Sequence, residues 1–329
     1  MTHDKTKHIV SFIESECGFF FDDKKRTGMF SLVRERMSSV GVDSPEAYLS
    51  FIKSLKGSSE LKNLISCVTV GETYFLRNKD HWRAFKKFVL PRIIDSKNGK
   101  NRSVKIWSAG CSTGEEAYTI AVSLLESLPF PQNWDIKIMA TDINEASLAK
   151  ARAGVYTRNA FRGVEEQWVK KWFTEKKGAY RIRKEVRKIV DFSSLNLVSQ
   201  NRFPSAYTDP DIIFCRNVLM YFRKEVYMRV IKQFAECLKP GEFLFLGHAE
   251  GAMARQDNFK SINCCDTFIF QKRNDFGSRI LDFGLNWKNE NDQQSTVAKT
   301  PQPETLPDRE RKSTFHRPKS KIQNRTRLL

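Results

Sequence analysis

The 329 residues contain no C-x-x-C pair, no H-x-x-x-H spacing and no apolar run near the ~20 residues that a bilayer-spanning helix needs. The seven cysteines (Cys17, Cys67, Cys111, Cys215, Cys237, Cys264 and Cys265) are odd in number and scattered through apolar segments. That distribution suits reduced thiols and argues against a disulfide framework or a zinc site. The first ten residues, MTHDKTKHIV, lack the apolar core of a signal peptide. Together these absences lead us to expect a cytoplasmic protein with no structural metal. Acidic residues are also in deficit, with 38 Asp and Glu against 56 Lys and Arg, a net charge of +18. Such a surplus fits nucleic acid, an anionic membrane or an acidic protein surface, and by itself names none of them. A hydrophobic fraction of 40% and an aromatic fraction of 12% suffice for a sizeable core in one large domain or two moderate ones.

The most informative stretch is WSAGCSTGEEAYTIA, Trp107 to Ala121. Val104–Lys105–Ile106 before it reads as a short buried strand. Tyr118, Ile120, Ala121, Leu124 and Leu125 after it recur at helical spacing. The small residues therefore sit where a strand turns into a helix. A phosphate loop of the Walker type would place Lys beside Ser or Thr after its last glycine, whereas Glu115 and Glu116 follow Gly114. Two carboxylates there would repel a triphosphate and suit a ligand with hydroxyls, an amine or a net positive charge. The full G-x-G-x-x-G is absent too, since only Gly110 and Gly114 are present. On this stretch alone, a tight turn before an acid-capped helix is an equally good reading.

Residues 1–65 read as helices, with apolar residues three and four apart in MFSLVRERMSSV and SPEAYLSFIKSL and a proline start at Ser44–Pro45–Glu46. Residues 66–94 read as a linker that contributes to a site. From 95 to 274 strands alternate with helices. Candidate strands are Val104–Ser108, Ile136–Thr141, Ile189–Ser193, Asp211–Cys215, Phe243–Gly247 and Thr267–Gln271. Candidate helices are Glu115–Glu126, Glu145–Arg152 and Lys224–Leu238. The expected class is α/β, a doubly wound and mostly parallel sheet, with a short hairpin inserted at about 174–190. Residues 275–329 are polar and proline-bearing and read as a disordered basic tail.

In such a sheet, ligands bind beyond the carboxyl ends of the strands. Asp142 ends the second strand and is a candidate acceptor for ribose hydroxyls. Its alternative is the N-cap of the helix that Asn144 and Glu145 begin. Asn196 follows the third strand, and Arg216, Asn217 and Tyr221 follow the fourth. Each alone reads as a turn residue, but polar groups at successive strand ends converge on one crevice.

Six segments in order, TVGETYFLR, WSAGCSTGEEAYTIA, ATDINEASLAKARAGVY, FSSLNL, IIFCRNVLMYF and LKPGEFLFLGHAE, carry a resemblance to the CheR family over about residues 10 to 274. Members of that family use S-adenosylmethionine to esterify glutamates on bacterial chemotaxis receptors. The resemblance implies a Rossmann-like class I methyltransferase domain preceded by a small all-helical domain, with a small β-subdomain inserted. It implies cofactor contacts at Gly71, Thr73, Arg77, Glu116, Asp142, Asn196, Leu197, Arg216 and Asn217, with Arg77 and Tyr221 nearest the transferred methyl. Gly71 stands where some members carry Asn, so it can offer only backbone. The implied partner is the cytoplasmic helical domain of methyl-accepting receptors, met by a monomer that reaches the membrane only through that receptor.

The chemistry of the residues agrees. Adenosylmethionine carries an amine and a sulfonium, which suit a loop followed by acids. A glutamate side chain titrates near ~4.3 and is already a nucleophile at neutral pH, so no general base is required. Two rivals differ in what they need. A nucleic-acid base methyltransferase would show a D/N-P-P-Y/F turn where Arg216–Asn217–Val218–Leu219 stands, or a Pro-Cys nucleophile, and no proline precedes a cysteine here. A non-catalytic scaffold would have lost site positions that are nearly all filled. Glutamate-rich substrate helices should be drawn to Lys24, Lys25, Arg26, Arg34 and Arg36 together with Arg181, Arg183, Lys184, Arg187 and Lys188.

Overall fold

The computed structural model describes residues 2–69, 71–97, 102–199, 201–251, 254 and 258–274. The tail expected at 275–329 lies outside the described residues. Four helices open the chain: α1 (Thr2–Cys17), α2 (Asp23–Ser39), α3 (Pro45–Lys53) and α4 (Ser58–Val68). Ser44 caps α3 by accepting from the Ala47 amide with Pro45 behind it, and Asp22 caps α2 by accepting from Lys25. Their inward faces bury Ile9, Ile13, Met29, Val33, Tyr48, Ile52 and Leu64 in one core.

The stretch read as a linker is largely helical. After an irregular run at 71–78, α5 (Lys79–Ala84), a π-helical turn (Phe85–Val89) and α6 (Leu90–Lys97) follow without a break. Pro91 accounts for the widened turn: it lacks an N–H, and its ring excludes the carbonyl four residues back. Trp82 and Phe85 pack on Phe214 and hold this helix against the sheet.

The rest alternates strands and helices: β1 (Ser103–Ala109), α7 (Glu115–Ser127), β2 (Asp135–Asp142), α8 (Glu145–Ala153), β3 (Val155–Tyr156), α9 (Glu166–Trp172), β4 (Phe173–Lys176), β5 (Ala179–Ile182), α10 (Lys184–Arg187), β6 (Val190–Ser194), β7 (Ile212–Cys215), α11 (Lys224–Cys237), β8 (Phe243–Leu246), β9 (Phe259–Cys264) and β10 (Thr267–Lys272), of which β3, β9, α9 and α10 go beyond the candidates read from the sequence. The main sheet runs β6-β2-β1-β7-β8-β10-β9; the first five strands are parallel, and β10 pairs antiparallel with both β8 and β9. Strand order reverses between β1 and β7, so a crevice opens at their carboxyl ends.

The inserted hairpin does not lie on this sheet. β4 and β5 pair with β3 in a separate three-stranded sheet. Phe75, from the irregular run, inserts among Tyr156, Phe161, Trp168 and Phe173 of this subdomain, stacked on Phe161 with ring centroids 5.0 Å apart. That anchor fixes where residues 71–78 cross the crevice.

Two buried acids organise the helical domain. Glu14 accepts from one Arg26 nitrogen with both carboxylate oxygens, from Arg223 at 2.7 Å and from the Phe21 amide at 3.2 Å, tying α1 to the chain just before α11. Glu60 accepts from Arg36 and from the Tyr48 hydroxyl. Arg26 and Arg36 are therefore engaged inside the domain. Of the five cations of this domain, among the ten expected to face an acidic partner, Lys24, Lys25 and Arg34 are exposed.

Burial pushes the Glu60 carboxyl up, but the bonds from Arg36 and Tyr48 outweigh it and hold it below the usual carboxylate range. A depressed acid contributes stability above its unfolded pKa and loses it as pH falls through the folded value. Arg36→Met, which strands the buried carboxylate, should cost about 3 kcal/mol at neutral pH. In urea titrations the gap to wild type should narrow on acidification below the normal carboxylate range; a gap independent of pH would mean the ion pair contributes nothing.

Candidate active site

A cavity of about 970 Å³, its open mouth included, occupies the crevice at the carboxyl ends of β1, β2 and β7. All ten residues singled out in the sequence line it: Gly71, Thr73, Arg77, Glu116, Asp142, Asn196, Leu197, Arg216, Asn217 and Tyr221. Their side chains are engaged in different ways.

The glycine loop folds back because the Gly110 and Cys111 amides both donate to the Thr141 carbonyl, at 2.7 and 2.9 Å. Gly110 has φ +85°, and a Cβ there would come within 2.3 Å of Val218. Gly114, at φ +95°, sits against Ala151 of α8, where a Cβ would meet its methyl at 2.9 Å. The two glycines thus permit both the left-handed turn and close packing on either side. The paired acids diverge. Glu115 turns away from the cavity, buried, accepting from the Thr113 hydroxyl at 2.6 Å, and burial raises its pKa. Glu116 faces the cavity, where Ser108 donates to it at 2.8 Å and Arg216 at 3.2 Å.

Asp142 is not the N-cap of α8. Asn144 fills that position, accepting from Ser147. The Asp142 carboxylate instead accepts from the Ser112 amide at 2.7 Å and the Asn144 amide at 2.8 Å, which leaves lone pairs on both oxygens. Burial pushes the Asp142 and Glu116 carboxyls above their ordinary values, against those amide bonds and against the Arg216 cation, respectively.

Arg216 is the most constrained group in the site, its side chain only 2% exposed. Its Nε donates to His81 Nδ1 at 3.1 Å, one terminal nitrogen reaches Glu116, and the other donates to the Arg77 carbonyl at 2.6 Å. Trp82 lies beneath the guanidinium, 5.2 Å from its carbon, and donates its own indole N–H to the same Arg77 carbonyl. Burial lowers the Arg216 pKa and the Glu116 charge opposes that. His81 is pushed down to about 3 by burial and by the adjacent Arg216 and His248, so it stays neutral and can accept. The Asn196 side chain is likewise committed: its amide donates to the Glu16 carbonyl at 2.6 Å, and its oxygen accepts from Val198. Arg216 and Asn196 thus have a large part of their side-chain hydrogen-bonding capacity engaged within the protein.

The Arg77 side chain, bonded to the Glu72 carbonyl at 2.7 Å, borders the cavity between two left-handed residues, Leu76 and Asn78. Tyr221 forms another part of the wall, its ring tilted on Phe19 of the helical domain at 6.0 Å. Two buried groups that sequence reasoning did not single out hold these walls in place. One is His81. The other is Glu250, whose carboxylate accepts the amides of Asn217, Val218, Met220 and Gly247 at 2.6–3.1 Å and so fixes Asn217 at φ +60°. Glu250 ends the segment LKPGEFLFLGHAE, and a lone acid after a strand carries no signal of four converging amides.

The donor set fits a cationic nucleoside ligand. Three carboxylates line the cavity, Glu116, Asp142 and Glu72 (the last paired with Arg162), against the two guanidiniums of Arg77 and Arg216, and Asp142 keeps acceptor capacity for hydroxyls.

Residues 71–268 match the family described as CheR methyltransferase, SAM binding domain, and residues 5–69 match the CheR methyltransferase all-alpha domain. The chain is similar to a probable chemotaxis protein methyltransferase of Rhizobium etli, 32% identical over 242 residues, which covers 72% of this chain and 89% of that protein. It is similar to the chemotaxis protein methyltransferases of Salmonella typhimurium (32% over 250 residues, 74% and 82%) and Escherichia coli (32% over 252 residues, 74% and 83%). Domain order, cavity and these likenesses agree: the chain belongs to the CheR family of methyltransferases that bind S-adenosylmethionine.

Proposed function

We propose that this protein methylates the side-chain carboxylates of glutamates in the cytoplasmic helical domain of chemotaxis receptors, giving glutamyl methyl esters and S-adenosylhomocysteine. The observation that carries the reading is a cavity lined by the carboxylates of Glu72, Glu116 and Asp142 and the guanidiniums of Arg77 and Arg216, with Tyr221 in its wall. When bound, S-adenosylmethionine supplies the methyl group from a positively charged sulfur.

The residues divide the work of holding it. Asp142 takes the ribose hydroxyls with its remaining lone pairs, and Glu116 takes the amine. Asn196, Leu197 and Asn217 offer backbone groups, Gly71 offers backbone alone, and Thr73 adds a hydroxyl. Arg216 acts through Glu116 and through the Arg77 carbonyl, so we assign it to positioning. Catalysis then rests on alignment of carboxylate oxygen and methyl carbon. Arg77 and Tyr221 orient the incoming carboxylate. A tight Arg77 ion pair would stabilise the ground state and blunt attack, so Arg77 works best as a guide. The protein acts on the receptor as a monomer, and among its described residues no helix is long and apolar enough to cross a membrane.

Asp142→Ala should weaken S-adenosylhomocysteine binding roughly ten- to a hundredfold, the loss of a charged hydrogen bond of about 1.5–3 kcal/mol. Calorimetry on a variant that melts like wild type checks this, and an unchanged affinity would remove Asp142 from the cofactor site. The reaction itself is tested by incubating the protein with methyl-labelled S-adenosylmethionine and receptor-bearing membranes. We expect label in receptor protein that mild alkali releases as methanol, and a rate lowered at least tenfold by Arg77→Ala or by Tyr221→Phe with little change in melting temperature. Alkali-stable label, or label in nucleic acid, would refute the carboxylate reading. Cofactor binding without any transfer would favour a scaffold.

A further inference from the structure

A second depression, about 840 Å³ with its open mouth included, adjoins the reaction cavity, and Tyr221 and Phe222 line both. Its rim carries Phe20 from the helical domain and Met220 from the loop after β7, 56% and 51% exposed. Single exposed apolar residues are ordinary, but two on facing segments beside a reaction site make a patch.

The backbone beneath them is tightly tied. The Phe20 amide donates to the Tyr221 carbonyl at 2.7 Å, Arg223 donates to Gly18 at 3.3 Å, and the Met220 amide is one of the four that Glu250 holds. These side chains are thus held in water by rigid segments, an arrangement that suits preorganised contact with a partner.

The rim is also basic. Lys25 Nζ stands 5.9 Å over the Tyr221 ring, and Lys224 makes no ion pair among the described residues. Arg223 and Arg26 share the single acid Glu14, which leaves that trio one positive charge in excess. Two acids, Asp22, which also caps α2, and Glu225, line the groove beside Lys25, Arg223 and Lys224, so its lining keeps one positive charge in excess.

We propose that this groove reads the residue one helical turn from the methylated glutamate, taking an apolar side chain between Phe20 and Met220 while Lys25 and Lys224 meet acids further along the same helix. The inference rests on the glutamate reading above. Residues three or four apart on a helix lie about 5–6 Å apart on one face. A helix that turns its glutamate over Tyr221 toward the cavity therefore lays its neighbouring turn on the groove. The occupant is an acidic amphipathic helix of the substrate receptor.

The test uses a helical receptor fragment bearing one methylation site, in steady-state kinetics with the full chain. Phe20→Ser/Met220→Ser should raise KM for the fragment about tenfold, as expected for losing the burial of roughly two methylene groups. kcat and S-adenosylhomocysteine affinity should stay at wild-type values, and Phe20→Leu should keep most of the wild-type KM. A fragment whose apolar residue one turn from the glutamate is replaced by Asn should show the same rise with wild type and no further rise with the double variant. Alkali-labile methylation with unchanged KM in the double variant would overturn the groove alone. So would additive effects of the fragment and protein changes, which would mean that the two surfaces do not touch. A wild-type protein that leaves the fragment without any alkali-labile methyl would overturn the glutamate reading and the groove with it.

Discussion

A guanidinium buried to 2% exposure costs several kcal/mol unless its donors are met, and Arg216 meets them from three separate elements. Glu116 comes from the first turn of the helix after β1, His81 from the helix that follows the irregular run, and the Arg77 carbonyl from that run itself. Because the charge must be satisfied, the three elements are held at fixed distances around the end of β7. The Arg77 carbonyl receives both Arg216 and the Trp82 indole, which holds the peptide between two left-handed residues. The arginine thereby sets the direction of a carboxylate inside the cavity and the path of the chain that presents Arg77 at its edge. A lysine could not do this, since a single ammonium lacks the planar spread of donors that reaches three partners at once.

The helical domain is bound into the same construction. Glu14 gathers Arg26, Arg223 and the Phe21 amide, while Phe19 and Phe222 form a bridge and Phe20 pairs with Tyr221 through the backbone. Tyr221 consequently stands between a cavity built by the sheet and a rim built partly by the N-terminal helices. Glu250 fixes the other side of that loop with four amide bonds. Neither acid faces the cavity, yet each determines where a wall residue sits.

Much of this was legible beforehand because it follows local rules. The main parallel strands and the helices after them follow from apolar runs and glycine punctuation, and Asp142, Asn196, Arg216, Asn217 and Tyr221 reach one cavity because strand ends in a doubly wound sheet converge, whereas Gly71, Thr73 and Arg77, on the irregular run, were indicated by the family resemblance alone. What escaped the sequence depends on tertiary partners. Periodicity could not decide that Glu115 turns to Thr113 while Glu116 faces inward. A run of cations reads as a solvated face until a buried acid appears opposite, as Glu60 does for Arg36. β3 is two residues long, too short to signal that the hairpin forms a sheet of its own. Helicity through Pro91 was hidden because the π turn that accommodates it has no periodic signature.

The claim that one buried charge organises the site is tested most directly by a double-mutant cycle on S-adenosylhomocysteine affinity. Glu116→Gln, Arg216→Met and the double variant would be compared by calorimetry with their melting temperatures recorded. If Arg216 acts by holding Glu116, the double variant should bind no more weakly than the worse single one, a coupling of about 1–3 kcal/mol. Losses that simply add would mean that the two residues serve the ligand independently, and the account would fail.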